Sequence, residues 1–92
     1  MDELTQLAAE LGRQLQVLNA QVTTAESCTG GAISEAITRI AGSSAWFEAG
    51  FVTYSNHQKT RQLQVPEPLF AQVGAVSREV VEAMARGAQA QS

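Results

Sequence analysis

Apolar residues recur at Leu4, Leu7, Ala8, Leu11, Leu15 and Leu18, the three-to-four spacing of one helical face, with Asp2 and Glu3 near the positive end of the dipole. The spacing predicts a helix over about 3–18. Asn19 and Ala20 interrupt the period, and Val22, Thr23, Thr24 and Ala25 then form a short β-branched run that ends in Glu26-Ser27-Cys28-Thr29-Gly30-Gly31. This reads as a strand followed by a glycine turn. Helical period returns at Ile33, Ala36, Ile37, Ile40 and Ala41, predicting a second helix over about 31–41 closed at Gly42. Phe47 to Tyr54 is rich in aromatic and β-branched residues and too short for a helix, so it is expected to be the second strand. Ser55-Asn56 can cap a third helix running to about Leu63, Pro66 and Pro68 punctuate, and Gly74 breaks the chain again. Ser77 caps a last helix whose expected buried face is Val80, Val81, Met84, Ala85 and Ala88, decaying into Gln89–Ser92.

Helix, strand, helix, strand, helices is the order of an α/β unit, with strand, crossover helix and strand forming a right-handed parallel βαβ. Two strands are few for the apolar faces of so many helices, because parallel sheets are normally covered on both sides and contain more strands. Either a partner chain completes the sheet, as in a homo-oligomer, or these residues are the front part of a larger domain. No internal repeat, low-complexity tract or interdomain linker interrupts residues 1–92.

Composition narrows the classes. In 92 residues, 45% are hydrophobic, and 6 Lys+Arg against 9 Asp+Glu give 6 − 9 = −3. A chain of this length buries only about 60–65% of its unfolded surface, so a core exists with little stability in reserve. Five arginines and one lysine are scattered rather than striped, which argues against a nucleic-acid partner. No apolar stretch approaches the roughly 20 residues that span a bilayer, and Met1-Asp2-Glu3-Leu4 lacks a secretory start, so a cytoplasmic protein with no membrane partner is expected. The single cysteine, Cys28, has no internal disulfide partner, and one His with one Cys falls short of a metal set.

If the two strands are parallel neighbours, their carboxyl ends share the edge where open α/β sheets place ligands. Ser27, Cys28 and Thr29 leave the first strand there, and Tyr54, Ser55, Asn56 and Lys59 leave the second. Gly30 and Gly31 let backbone N–H groups approach a ligand, and the start of the following helix favours a phosphate or a developing oxyanion. Ser27 is either a turn or capping hydroxyl or a nucleophile, and a nucleophilic serine needs a proton acceptor. Lys59, the one lysine, is either that acceptor or a solvated surface charge. Tyr54 is either a proton relay or a core aromatic, and Trp46 and Phe47 are expected in the core. Cys28 with His57 as base would make a cysteine hydrolase, against which stands the habit of free cysteine to act as a small buried hydrophobe. Glu26 is open between a pocket carboxylate and an exposed strand end.

Four ordered motifs carry a resemblance: Thr24-Ala25-Glu26-Ser27-Cys28-Thr29-Gly30-Gly31; Gly42-Ser43-Ser44-Ala45-Trp46-Phe47; Gly50-Phe51-Val52-Thr53-Tyr54-Ser55-Asn56 with Lys59; and Gly74-Ala75-Val76-Ser77. In register over nearly the whole chain, they resemble the C-terminal domain of the CinA (competence/damage-inducible protein) family, whose stand-alone members are bacterial nicotinamide-nucleotide amidases. The resemblance implies a three-layer α/β/α domain. It also implies hydrolysis of the carboxamide of nicotinamide mononucleotide to nicotinate mononucleotide and ammonia, a step of pyridine-nucleotide recycling in NAD metabolism. Neither metal nor organic cofactor is implied. Carried onto matching positions, it makes Ser27 the nucleophile, Lys59 the general base and Tyr54 a relay or orienting group. Thr29, Gly30, Gly31 and Asn56 would bind the nucleotide substrate, with Thr29 the alternative nucleophile. The family's mixed sheet of about five strands continues past the last helix read here, so residues 1–92 are expected to be one incomplete domain. A noncatalytic nucleotide-binding or interaction module is the alternative.

Overall fold

The computed structural model describes all residues, Met1–Ser92. Its elements are α1 (Glu3–Leu18), β1 (Val22–Glu26), α2 (Ala32–Thr38), a 3₁₀ turn (Ser43–Ala45), β2 (Phe47–Val52), α3 (Asn56–Leu63), α4 (Glu67–Val73) and α5 (Arg78–Gln91). Asp2 caps α1 by accepting from the Thr5 N–H, Ser55 caps α3 through Gln58 N–H, and Ser77 caps α5 through Val80 N–H. Pro68 sits in the first turn of α4, where its missing N–H costs nothing. No helix is long and apolar enough to cross a membrane.

β1 and β2 pair in parallel, with Thr24 opposite Gly50, Ala25 opposite Phe51 and Glu26 opposite Val52. The register slips between Val22, opposite Phe47, and Thr23, opposite Ala49. Helices cover both faces of this ribbon: α1 and α2 on one side, α3, α4 and α5 on the other. The α/β class and the three-layer arrangement expected from the chain are therefore present. The principal core lies on the α5 side, where Leu63, Val65, Val80, Ala83, Met84 and Ala88 pack with Ala25, Phe51, Leu69 and Phe70. A second cluster, on the α1 and α2 side, contains Ala8, Ala36, Ile37 and Trp46.

Three expectations shift. First, α1 docks through only part of the expected face: Ala8 is buried and Leu11 and Leu15 are half-buried, but Leu4, Leu7 and Leu18 are exposed and Gly12 joins the buried side. The indole of Trp46 lies so close to Gly12 that a Cβ there would stand 2.6 Å from its Cε2 and Cζ2 atoms, so the small-residue face is the one that admits close approach. Second, α2 ends at Thr38 rather than near 41, and β2 ends at Val52 rather than Tyr54. The Thr38 hydroxyl donates back to the carbonyls of Ser34 and Glu35, a side-chain interaction that weakens helical continuation. Third, the buried face of α5 is Val80, Ala83, Met84 and Ala88; Val81 and Ala85 are exposed, and the helix continues to Gln91. The rotation places Ala83 and Gly87 toward the end of α3.

Gly87 fixes how closely α5 approaches α3, because a Cβ there would overlap the Leu63 carbonyl. In an exposed helix, Gly→Ala stabilises by about 1 kcal/mol. Here the sign reverses: Gly87→Ala is expected to cost about 1–3 kcal/mol through overpacking against backbone, read as a lower urea denaturation midpoint.

Candidate active site

Parallel pairing carries the ends of β1 and β2 to one edge, and the Thr53 N–H donates to the Glu26 carbonyl at 2.9 Å, extending the pairing to the point where both chains turn away. Ser27, Cys28 and Thr29 follow β1 as a turn, while α3 begins three residues after Thr53. Lys59, in the second turn of α3, is brought back beneath the β1 turn. A cavity of about 230 Å³ results, lined by Ala25, Glu26, Ser27, Cys28, Thr29 and Lys59 on one side and by Ala75, Val76, Val81 and Met84 on the other.

Lys59 is 6% exposed. None of the five ion pairs of the protein includes it, and its side chain makes no hydrogen bond within the chain. The reading of Lys59 as a charge on an exposed helix turn is thereby replaced by a largely buried side chain at a cavity wall. Ser27 is half-buried, and its Oγ donates to the Tyr54 carbonyl at 3.4 Å, a long contact that leaves the hydroxyl easily redirected. Tyr54 itself is 69% exposed, so its phenol is not part of the core and does not line the cavity.

Glu26 is the residue whose setting the sequence left open. Its carboxylate is 2% exposed and turns toward the start of α2. Oε1 accepts from Thr29 Oγ1 at 2.8 Å, Gly31 N at 3.2 Å and Ile33 N at 2.9 Å; Oε2 accepts from Ser34 N at 2.9 Å and Ser34 Oγ at 2.7 Å. Burial on its own would raise the pKa of such a group. The donors from Ile33, Ser34 and Thr29 outweigh it and lower the pKa from 4.5 to about 2. A carboxyl with this environment is ionised at any pH near neutrality.

This carboxylate changes what the glycine turn can offer. Gly30 and Gly31 take left-handed φ angles of 61° and 105°, as a tight turn requires. However, Gly30 N donates to the Ser27 carbonyl at 3.0 Å and Gly31 N to Glu26, so neither is free to meet a ligand anion. The expectation that the α2 start would cradle a phosphate or oxyanion is corrected accordingly: an internal anion already sits there. Ser27 N, Cys28 N and Thr29 N are the turn's backbone donors without a partner in the chain.

The structure therefore gathers Ser27, Thr29 and Lys59 around one cavity and leaves Tyr54 outside its lining. Asn56 and His57 line a different hollow, of about 160 Å³, with Thr60, Glu67 and Phe70. Exposed Cys28 and His57 face separate cavities, so the cysteine–histidine pairing is not assembled. A larger hollow of about 590 Å³, beside Val22, Thr23 and Arg86, contains neither Ser27 nor Lys59. The apolar wall of Ala75, Val76, Val81 and Met84 completes the site, and its one signal in the sequence is the Gly74-Ala75-Val76-Ser77 motif.

An α/β fold with a serine and a buried lysine at the carboxyl edge of a parallel ribbon defines a class of site, and comparison supplies the family. The CinA C-terminal domain family matches residues 4–92, and the chain belongs to it. It is 76% identical over 92 residues to the nicotinamide-nucleotide amidohydrolase PncC of Pseudomonas putida, covering all of this chain and 58% of that protein. It is 58% identical over 86 residues to the protein of the same name from Escherichia coli K12, covering 94% of this chain and 52% of that one. The crystal structure of the competence/damage inducible protein CihA from Agrobacterium tumefaciens superposes with a TM-score of 0.95 at 43% identity, covering 100% of this chain and 56% of that one. The competence damage-inducible protein A from Klebsiella pneumoniae superposes with a TM-score of 0.96 at 36% identity, over 99% of this chain and 56% of that one. The chain thus spans a little over half the length of each of these four proteins.

The Glu26 environment has a testable sign. Because its folded pKa lies below the ordinary 4.5, the stability it contributes is fully present above that value and is lost as pH falls through about 2. Urea denaturation of the protein and of Glu26→Gln is expected to show a stability difference that is largest above pH 4.5 and shrinks steadily toward pH 2.

Proposed function

We propose that this chain carries the nucleophile and base of a nicotinamide-nucleotide amidase. The observation that supports the reading most directly is a buried lysine without a counter-ion sharing one cavity with Ser27. Burial without a carboxylate partner is the setting in which lysine serves as a general base. Relatives named nicotinamide-nucleotide amidohydrolase, one of them 76% identical, supply the substrate class.

In this mechanism the Lys59 amine takes the Ser27 proton as Oγ attacks the carboxamide carbon of nicotinamide mononucleotide. The tetrahedral oxyanion is met by the uncommitted N–H groups of Cys28 and Thr29. The Lys59 ammonium returns the proton to the departing nitrogen, ammonia leaves, and an ester joins the nicotinoyl group to Ser27. Water, deprotonated by Lys59, then attacks that ester, the Lys59 ammonium passes the proton to the departing Ser27 Oγ, and nicotinate mononucleotide is released. Tyr54, whose carbonyl accepts from Ser27, orients the substrate or relays a proton from outside the lining, and Asn56 holds the part of the nucleotide that extends beyond the cavity. Gly30 and Gly31 keep the turn free of side chains.

Between the two hydroxyls, Ser27 is the better nucleophile. The Thr29 proton is directed at Glu26, whose pKa of about 2 makes it a poor acceptor for catalysis, and Thr29 is left to contact the substrate.

Ammonia release from nicotinamide mononucleotide by the protein tests the assignment. Ser27→Ala and Lys59→Ala are each expected to lower kcat by about 1,000-fold or more, because nucleophile and base act as one unit. Hydrolysis that survives both substitutions would overturn the mechanism, and nucleotide binding without turnover would identify a binding module instead.

A further inference from the structure

We propose that Glu26 is a positioning residue: its carboxylate closes the Ser27–Gly30 turn into a fixed ring, so that the backbone carrying Ser27 is held at the cavity it shares with Lys59. The proposal rests on the amidase reading for the role of Ser27, but the ring itself is a matter of geometry.

Glu26 is held at both ends. Its main chain is fixed in the sheet, opposite Val52 and accepting from the Thr53 N–H. Its side chain reaches forward over the turn to accept from Thr29 and from the backbone of Gly31 and Ile33. The residue preceding the nucleophile thus binds the residues that follow it, and the four positions between have little room to move independently. The second oxygen anchors this ring to the rest of the protein through Ser34, whose hydroxyl also contacts Thr24 Oγ1 at 2.7 Å on β1. Near-attack geometry tolerates displacements of well under an ångström, so such anchoring belongs with catalysis rather than only with folding.

The chemistry singles out a glutamate. All five groups pointing at the carboxylate are arranged as donors, and an ionised carboxylate is an acceptor only. Glutamine preserves the shape but presents an NH₂ to a donor on one side. Aspartate is one methylene shorter and cannot span from Thr29 to Ser34. The carboxylate also occupies the start of α2, which directs the substrate's own anionic group elsewhere along the cavity.

The test compares the protein with Glu26→Gln and with Ser34→Ala, a residue outside the cavity lining that supplies two of the contacts, one of which Ala retains. Three measurements are made on each folded protein: amide hydrogen exchange at Gly31 and Ile33, alkylation of Cys28 by iodoacetamide, and kcat and KM for nicotinamide mononucleotide. Expected are faster exchange and faster alkylation in both variants, with kcat lowered about 10-fold or more in Glu26→Gln and KM changed by less than about threefold. Ser34→Ala should move each quantity the same way by a smaller factor, and it decides the matter where Glu26→Gln does not fold. Unchanged exchange and alkylation in the folded variants would overturn the proposal, as would a loosened turn with kcat intact. Absence of hydrolysis by the unsubstituted protein would instead strike the amidase reading, and exchange and alkylation would then decide whether the ring exists.

Discussion

The parallel pairing of two short strands is the constraint on which everything else in this protein depends. An antiparallel pair would send the β1 and β2 carboxyl ends to opposite edges, and the turn after Glu26 would never meet the helix after Thr53. Because Glu26 and Val52 stand opposite one another, the two departing segments begin at the same level. The crossover through α2 that parallel pairing demands also delivers the donors that surround the Glu26 carboxylate. Topology and local electrostatics are consequences of one connection.

That connection was readable in the chain because it is written in period and punctuation. The β-branched run at Val22–Ala25, the aromatic run from Phe47, and the capping serines at 55 and 77 each correspond to an element or a cap in the fold. Faces were harder to read than elements. The apolar stripe on α1 suggests burial along its whole length on hydropathy alone, yet Leu4, Leu7 and Leu18 are exposed, and the close approach of Trp46 to Gly12 adds a glycine to the buried side. Hydropathy ranks side chains; it does not weigh how near two backbones can come. The same limit explains α5, where Gly87 allows contact with Leu63 and turns Val81 outward.

The candidate site was legible in part. Ser27 and Lys59 converge as strand order requires, and their meeting needs no knowledge of side-chain detail. The fate of the glycine turn was not legible, since the same Gly-Gly pair that can cradle an external anion can equally serve an internal one. What decides is the residue before Ser27. Glu26 ends the strand pointing toward α2, and strand alternation places it on the same face as Thr24, whose hydroxyl meets Ser34. The exposed phenol of Tyr54 and the separation of Asn56 from the cavity likewise follow from where β2 stops, two residues short of the boundary that composition suggested.

Trp46 has a further consequence. It is the sole tryptophan, it is 5% exposed, and its ring lies against α1 at Gly12, on the sheet face that carries α1 and α2. The chain's intrinsic fluorescence is therefore a private optical gauge of whether the first helix is seated. Undocking of that helix would register as a red-shifted emission as the indole gained water, while events confined to the serine and lysine would leave the spectrum dark to them. The fold supplies its own probe, placed where it watches assembly rather than chemistry.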